Sequence, residues 1–229
     1  MQIQSSALRL KQLPQIPPIP PSSDRFSIIA NHCGLVATEF SYGKDEEIYG
    51  EEEAAEFVYQ VVRGAVRTYK LMSDGRRHIG AFHLPGDVFG LESSSVHRLG
   101  AEAIIDTTVR LVKRSSLDTS AEANAKVAHH LWTITVADLK HAEDHMLLLG
   151  RKTAMERVAT FLVEMDKRLS STGMMGLPMC RRDIGDYLGL TLETVSRALS
   201  QLNEEGVLTF SGARHITLRD RGRLASMLE

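Results

Sequence analysis

The segment from Arg182 to Arg197, RDIGDYLGLTLETVSR, leaves few choices of local fold. Ile184 and Leu188, then Val195, Leu199 and Leu202, recur at helical spacing, so two short helices each have an apolar side to bury. Between them Gly189 stands where the chain must turn sharply, and a residue without a Cβ does that at least cost. Thr191 is placed to cap the second helix. On that helix Glu193, Ser196 and Arg197 are three and four residues apart and share one face. One acceptor, one hydroxyl and one guanidinium fork on a single helix face can read base edges in a DNA major groove. The segment reads as a helix-turn-helix with its reading residues in place. The plain alternative for Glu193 and Arg197 is a surface ion pair, worth roughly 0.2–0.5 kcal/mol.

Upstream, the pattern changes. Residues 120–149 contain no proline or glycine and read as one long helix. Along it Ala128, Trp132, Thr135, Leu139, Ala142, Met146 and Leu149 fall at alternating steps of four and three, an a/d seam. Such a seam packs either on its own domain or on a second copy of itself, and the second copy is the expectation here. Two-fold symmetry then asks for an inverted-repeat DNA site with half-sites about one helical turn apart. Gly150-Arg151 reads as a hinge. A further amphipathic helix follows over Ala154–Leu169, and then a loop from Ser170 to Pro178. After Gly206, the runs 207–210 and 215–218 around Ser211-Gly212 read as a β-wing.

Residues 37–115 alternate short β-type runs with turns. Runs 57–62 and 65–71 flank Arg63-Gly64, Ser73-Asp74-Gly75 marks a hairpin, and 109–112 reads as the last strand. Many short strands with regular turns make a closed or sandwiched β unit, so the whole chain is α+β. The first 24 residues, rich in Gln, Pro and Ser, read as an extended arm. The expected division is an arm at 1–24, a β unit at 25–118, a dimerisation helix at 119–150 and a DNA-binding unit at 151–229.

Charge adds little. The net charge is -2; residues 151–229 hold 12 Lys+Arg against 10 Asp+Glu, and residues 1–150 hold 15 against 19. What counts is whether Arg181, Arg182, Arg197 and Arg214 cluster on one face. No apolar run approaches the roughly 20 residues of a membrane span, and no leader segment is expected. Two cysteines, Cys33 and Cys180, fit a reducing cytoplasm better than a disulfide scaffold. No nucleophile–base pattern, Walker-type loop or metal motif points to an enzyme.

The motif Glu193-Thr194-Val195-Ser196-Arg197, with Leu202 and Gly206-Val207-Leu208, resembles the signature of the CRP/FNR family of bacterial transcription regulators, and the resemblance runs from about Ala37 to Leu228. The Glu-x-x-Ser-Arg form is that of the FNR branch, and within it the FixK type, which regulates microoxic and nitrogen-fixation genes, is most similar. The resemblance implies a cyclic-nucleotide-type β-roll, a homodimer, a winged helix-turn-helix and a β-roll surface presented to RNA polymerase. It implies a TTGA-like half-site: Arg197 on guanine, Glu193 on a cytosine amino group, Ser196 on a thymine edge, and Leu192 where the cAMP-binding branch has an arginine. Thr191, Thr194 and Arg182 become candidates for phosphate contacts.

The effector is where the chain departs from its relatives. Cyclic-nucleotide binders place an arginine and a small hydroxyl residue after the turn at Gly86–Gly90, whereas here Ser93, Ser94, Ser95, Val96 and His97 follow, and neither Arg98 nor Arg110 matches. An iron–sulfur cluster needs about four cysteine thiolates, and FNR's N-terminal cysteine cluster is missing. His141 and His145 are spaced to share a metal, or simply form the polar flank of the long helix. No cofactor is expected. Cys180 precedes Arg181 and Arg182 at a helix start, a setting that favours thiolate; it reads either as an inert small residue or as a switch whose oxidation places polarity where phosphate should sit. Cys33 reads as inert. The expectation is an effector-independent activator. The alternative is a sensor of haem or another metabolite whose apo form does not bind DNA.

Overall fold

The structure is a computed structural model that describes residues 37–169, 174–212 and 214–227, leaving out the Arg151 side chain. The arm expected over 1–24, and Cys33, lie outside the described residues.

Eight strands come first: β1 (Thr38–Tyr42), β2 (Glu47–Tyr49), β3 (Phe57–Arg63), β4 (Val66–Leu71), β5 (Arg77–His83), β6 (Val88–Phe89), β7 (Gly100–Ala103) and β8 (Thr107–Lys113). They form two antiparallel sheets, ordered β1-β8-β3-β6 and β2-β7-β4-β5. β4 and β5 pair as the hairpin expected around Ser73-Asp74-Gly75. β3 and β4 do not pair, because the chain switches sheets at Gly64. There φ is +93°, and a Cβ would lie 2.3 Å from the Thr107 hydroxyl oxygen, so only glycine fits. Tyr49, Tyr59, Val61, Val66, Phe89, Ala101 and Val109 fill the space between the sheets.

Two helices follow where one was expected. α1 (Arg114–Ala123) ends at Asn124, and α2 (Ala125–Arg151) begins there. The Asn124 carboxamide oxygen accepts the Lys126 N–H at 3.0 Å, so a side-chain cap restarts the helix without proline or glycine. The hinge also lies later than Gly150-Arg151. α2 runs through both, and the chain becomes extended at Lys152. Thr153 and Glu156 then cap α3 (Ala154–Leu169): the Thr153 N–H donates to the Glu156 carboxylate at 2.6 Å.

The last unit holds β9 (Met174–Gly176), α4 (Arg181–Leu188), α5 (Leu192–Glu204), β10 (Leu208–Phe210), β11 (His215–Leu218) and α6 (Arg221–Ser226). β9 was not expected. It pairs with β11 inside the stretch read as a loop and makes the wing three-stranded. Val158, Phe161, Leu162 and Met165 of α3 pack with Ile184, Leu188, Val195, Leu199 and Leu202. The same cluster takes in Ile79, Phe82 and Leu84 of the β-roll, so one continuous core joins the two units.

Candidate nucleic-acid interface

The turn between α4 and α5 is set by two glycines. Gly189 is left-handed at φ +63°. At Gly185 a Cβ would approach the Leu190 carbonyl oxygen to 2.7 Å, and that residue's N–H donates to the Gly185 carbonyl at 2.9 Å. The importance of Gly185 was not read from the sequence, because its neighbour is brought close only by the turn. Thr191 caps α5 as expected, its hydroxyl oxygen accepting the Thr194 N–H at 3.2 Å.

α5 buries Val195, Ala198, Leu199 and Leu202. Its other side presents Leu192, Glu193 and Arg197 to solvent, with Ser196 half-buried. Ser196 and Arg197 border an open groove with Ser200, Gln201 and Glu204. No ion pair joins Glu193 to Arg197 among the described residues. The Glu193 carboxyl is held below its usual range by its own backbone N–H, then the Thr191 hydroxyl, then the charges of Arg182 and Arg197. Glu193 therefore carries its charge on the exposed face, with part of its carboxylate engaged by its own end of the helix.

The arginines divide between two places. Cys180 is exposed at the N-cap of α4. It lines a cleft with Arg182 and Arg214, facing Lys44 and Arg67 of the β-roll, and a second cleft with Arg181. The Arg181 guanidinium also lies over the Phe210 ring, 5.5 Å from its centroid. Arg197 lines neither cleft and borders the groove of α5 instead, though it and Arg182 both act on the Glu193 carboxylate.

The seam residues Ala128, Trp132, Thr135, Leu139, Ala142 and Met146 are exposed on α2, and Leu149 is half-buried. Trp132 is 66% and Leu139 59% exposed. The opposite face, through Val127, Leu131 and Ile134, packs on Val58, Val88, Val112 and Leu117. His145 turns inward, Nε2 donating to the Tyr187 carbonyl at 2.9 Å.

In the β-roll, His97 is 1% exposed and stacks on Tyr49 with ring centroids 3.6 Å apart, beside Tyr59 and Phe89. Arg98 donates to Glu92 at 3.2 Å, and Arg110 to Glu39 at 2.9 Å.

Sequence reasoning missed the groups that hold α4. Arg157 donates to the Leu188 carbonyl at 3.0 Å, the Leu149 carbonyl at 2.8 Å and the Lys152 carbonyl at 3.0 Å, closing the ends of α4 and α2 together. Arg67 and Arg77 meet Asp183 and Asp186 across the two units.

Fold and exposed helix face define a winged-helix regulator carried on a β-roll. Residues 156–227 match the family described as the Crp-like helix-turn-helix domain, and residues 39–134 match the cyclic nucleotide-binding domain. The nitrogen fixation regulation protein FixK of Azorhizobium caulinodans is 45% identical over 208 residues, 89% of this chain and 84% of the relative. FixK of Rhizobium meliloti is 40% identical over 193 residues, 84% of this chain and 87% of the relative. The solved structure of FixK2 from Bradyrhizobium japonicum superposes with a TM-score of 0.83 at 75% identity, covering 84% of this chain and 98% of that one. The chain belongs to the CRP/FNR family and is a DNA-binding transcription regulator of the FixK type. No helix among the described residues is long and apolar enough to cross a membrane.

Proposed function

We infer that the chain is a cytoplasmic, homodimeric activator of microoxic and nitrogen-fixation genes that binds a TTGA-like inverted repeat without a small-molecule effector. The observation that carries this reading is the exposed face of α5, where Glu193 and Arg197 stand uncommitted to each other on a helix locked from behind by Val195, Leu199 and Leu202. Arg197 pairs with guanine O6 and N7, and Glu193 accepts from a cytosine amino group; each contact discriminates by roughly 1–3 kcal/mol. Ser196 meets a thymine edge, and Leu192 suits the T-rich outer position because it cannot donate to guanine. Thr191, Thr194 and Arg182 hold phosphates. The C-terminal unit does the reading, α2 pairs two copies through Trp132, Thr135, Leu139, Ala142, Met146 and Leu149, and the β-roll faces RNA polymerase.

Effector independence is supported by the β-roll interior. His97, Tyr49, Tyr59 and Phe89 occupy one another's contact surfaces, Arg98 and Arg110 are engaged by carboxylates, and Arg114 donates to the Ser94 carbonyl. These residues do not suit a cyclic nucleotide, whose phosphate needs a free cation and backbone donors. Oxidation of Cys180 lowers DNA affinity in this reading, because it adds negative charge in the cleft of Arg182 and Arg214.

The test is Arg197→Ala. Loss of discrimination between a TTGA palindrome and a scrambled duplex, with the dimer and fold intact, is expected. Retained discrimination would refute the assignment.

A further inference from the structure

Two arginines of the β-roll reach across to α4. Arg67, 5% exposed, has Nη1 3.3 Å from Asp183 Oδ1, and Asp183 is 3% exposed. Arg67 Nη2 also meets Glu102 at 2.8 Å and Asp45 at 3.0 Å. Burial works against its charge, but Asp183 and Glu102 outweigh that and push the guanidinium up. Arg77 Nη2 reaches the same Asp183 oxygen at 2.5 Å, and Nε donates to Asp186 at 2.9 Å. The other Asp183 oxygen accepts the Cys180 N–H at 3.0 Å. The carboxylate that caps the first helix of the helix-turn-helix is therefore gripped by two cations from the other unit.

A buried ion network is a poor source of net stability, because desolvation offsets most of the attraction. Adhesion is already supplied by Ile79 and Phe82 against Phe161 and Tyr187. What charge-assisted hydrogen bonds add is direction. α4 cannot rotate on β5 without parting Arg77 from Asp186, and the close contact of Gly185 with Leu190 makes α5 follow α4.

We propose that Arg67 and Arg77 are positioning residues for DNA reading: through Asp183 and Asp186 they hold α5 at the angle and spacing an inverted repeat requires, in the place of a bound effector. This rests on the dimeric DNA reading above. The clamp works on geometry, so it governs half-site spacing and leaves base choice within a half-site alone.

Arg77→Met and Asp186→Asn cut the partly exposed arm while Arg67 still compensates Asp183; Arg77→Lys keeps the charge. The first readout needs no DNA. Spin labels at Glu122 and Gln201, in a Cys33→Ser/Cys180→Ser background and diluted with unlabelled chain, report the distance from α1, which packs on the β-roll through Leu117, to the reading helix. A single narrow distance is expected in the parent and in Arg77→Lys, with a broad one in Arg77→Met and Asp186→Asn. The second readout is affinity for TTGA repeats whose separation is one base pair longer or shorter than the optimum. The two cut variants should lose at least about fivefold at the optimal spacing, the low end of ordinary coupling between sites, with a flatter spacing profile and unchanged discrimination against a mutated half-site. An unchanged label distance and spacing profile in Arg77→Met overturn the proposal. A parent protein that ignores TTGA altogether would sink the DNA reading instead, and the label distances would still decide the clamp.

Discussion

The imidazole of His97 lies flat on the ring of Tyr49, with centroids 3.6 Å apart and planes 13° from parallel. Both His97 ring nitrogens are buried without a hydrogen-bond partner among the described residues, and the Glu92 carboxylate lies 3.9 Å from Nδ1. A buried polar group in that state costs roughly 1–3 kcal/mol. His97 thus serves the β-roll as a flat ring that fills space. His97→Phe should hold or raise the melting temperature, and His97→Ala should lower it by opening a void among Tyr49, Tyr59 and Phe89. Calorimetry on the two variants checks this. A large loss in His97→Phe would mean that the nitrogens have a role.

Stability should fall as pH drops from about 6.5 to about 4. Burial pushes His83 down to about 4, helped by Arg168 and His141 and opposed by Asp87. Burial also lowers His97 and His145. Unfolded histidine titrates near 6.5. Within that window the unfolded chain binds more protons, so stability is present above the window and lost on descending through it. Urea unfolding at pH 7.5, 6 and 5 measures the slope. His83→Gln, which keeps a partner for the Thr68 hydroxyl 3.2 Å away, should flatten it; an unchanged slope would exclude His83 as a source.

The two faces of α2 should fail differently. Leu139→Glu would bury an unpaired carboxylate at the proposed seam, costing roughly 3–5 kcal/mol of association, so sedimentation should find monomers with an intact fold. Ile134→Ala acts on the inner face, against Val58, Val112 and Leu117. It should cost roughly 2–5 kcal/mol of folding stability and leave the dimer. Dimers that persist in Leu139→Glu would move the interface elsewhere.

Peroxide should weaken DNA binding by the wild type and spare Cys180→Ser. The thiol is exposed beside Arg182 and Arg214, where added negative charge competes with phosphate. Equal loss in both proteins contradicts a role for this cysteine.

The parts that were legible in the sequence depend on short-range rules. Gly189, the Thr191 cap and the apolar spacing of α5 act within one turn or two, and the exposed stripe from Trp132 to Met146 follows from periodicity alone. The restart at Asn124 was hidden because a side-chain cap leaves no proline or glycine to mark it. The carry-through at Gly150 was hidden because the stop is made by Thr153 and Glu156 beyond it. Contacts between distant positions left no local trace: Arg67 looks like an ordinary strand arginine until the fold brings Asp183 to it from 116 residues away. The same holds for His97, whose sequence setting leaves packed and solvated roles both open and which the fold makes a buried ring.

The central claim is specific reading of DNA by α5 with no added ligand. Fluorescence anisotropy of the reduced, additive-free protein, with a TTGA inverted repeat against a scrambled duplex at fixed physiological salt, tests it most directly, since salt alone shifts such affinities by orders of magnitude. The predicted result is a preference of about 10³-fold or more for the repeat. Equal, weak binding to both duplexes would contradict it and would mean that the β-roll requires a ligand before α5 can read.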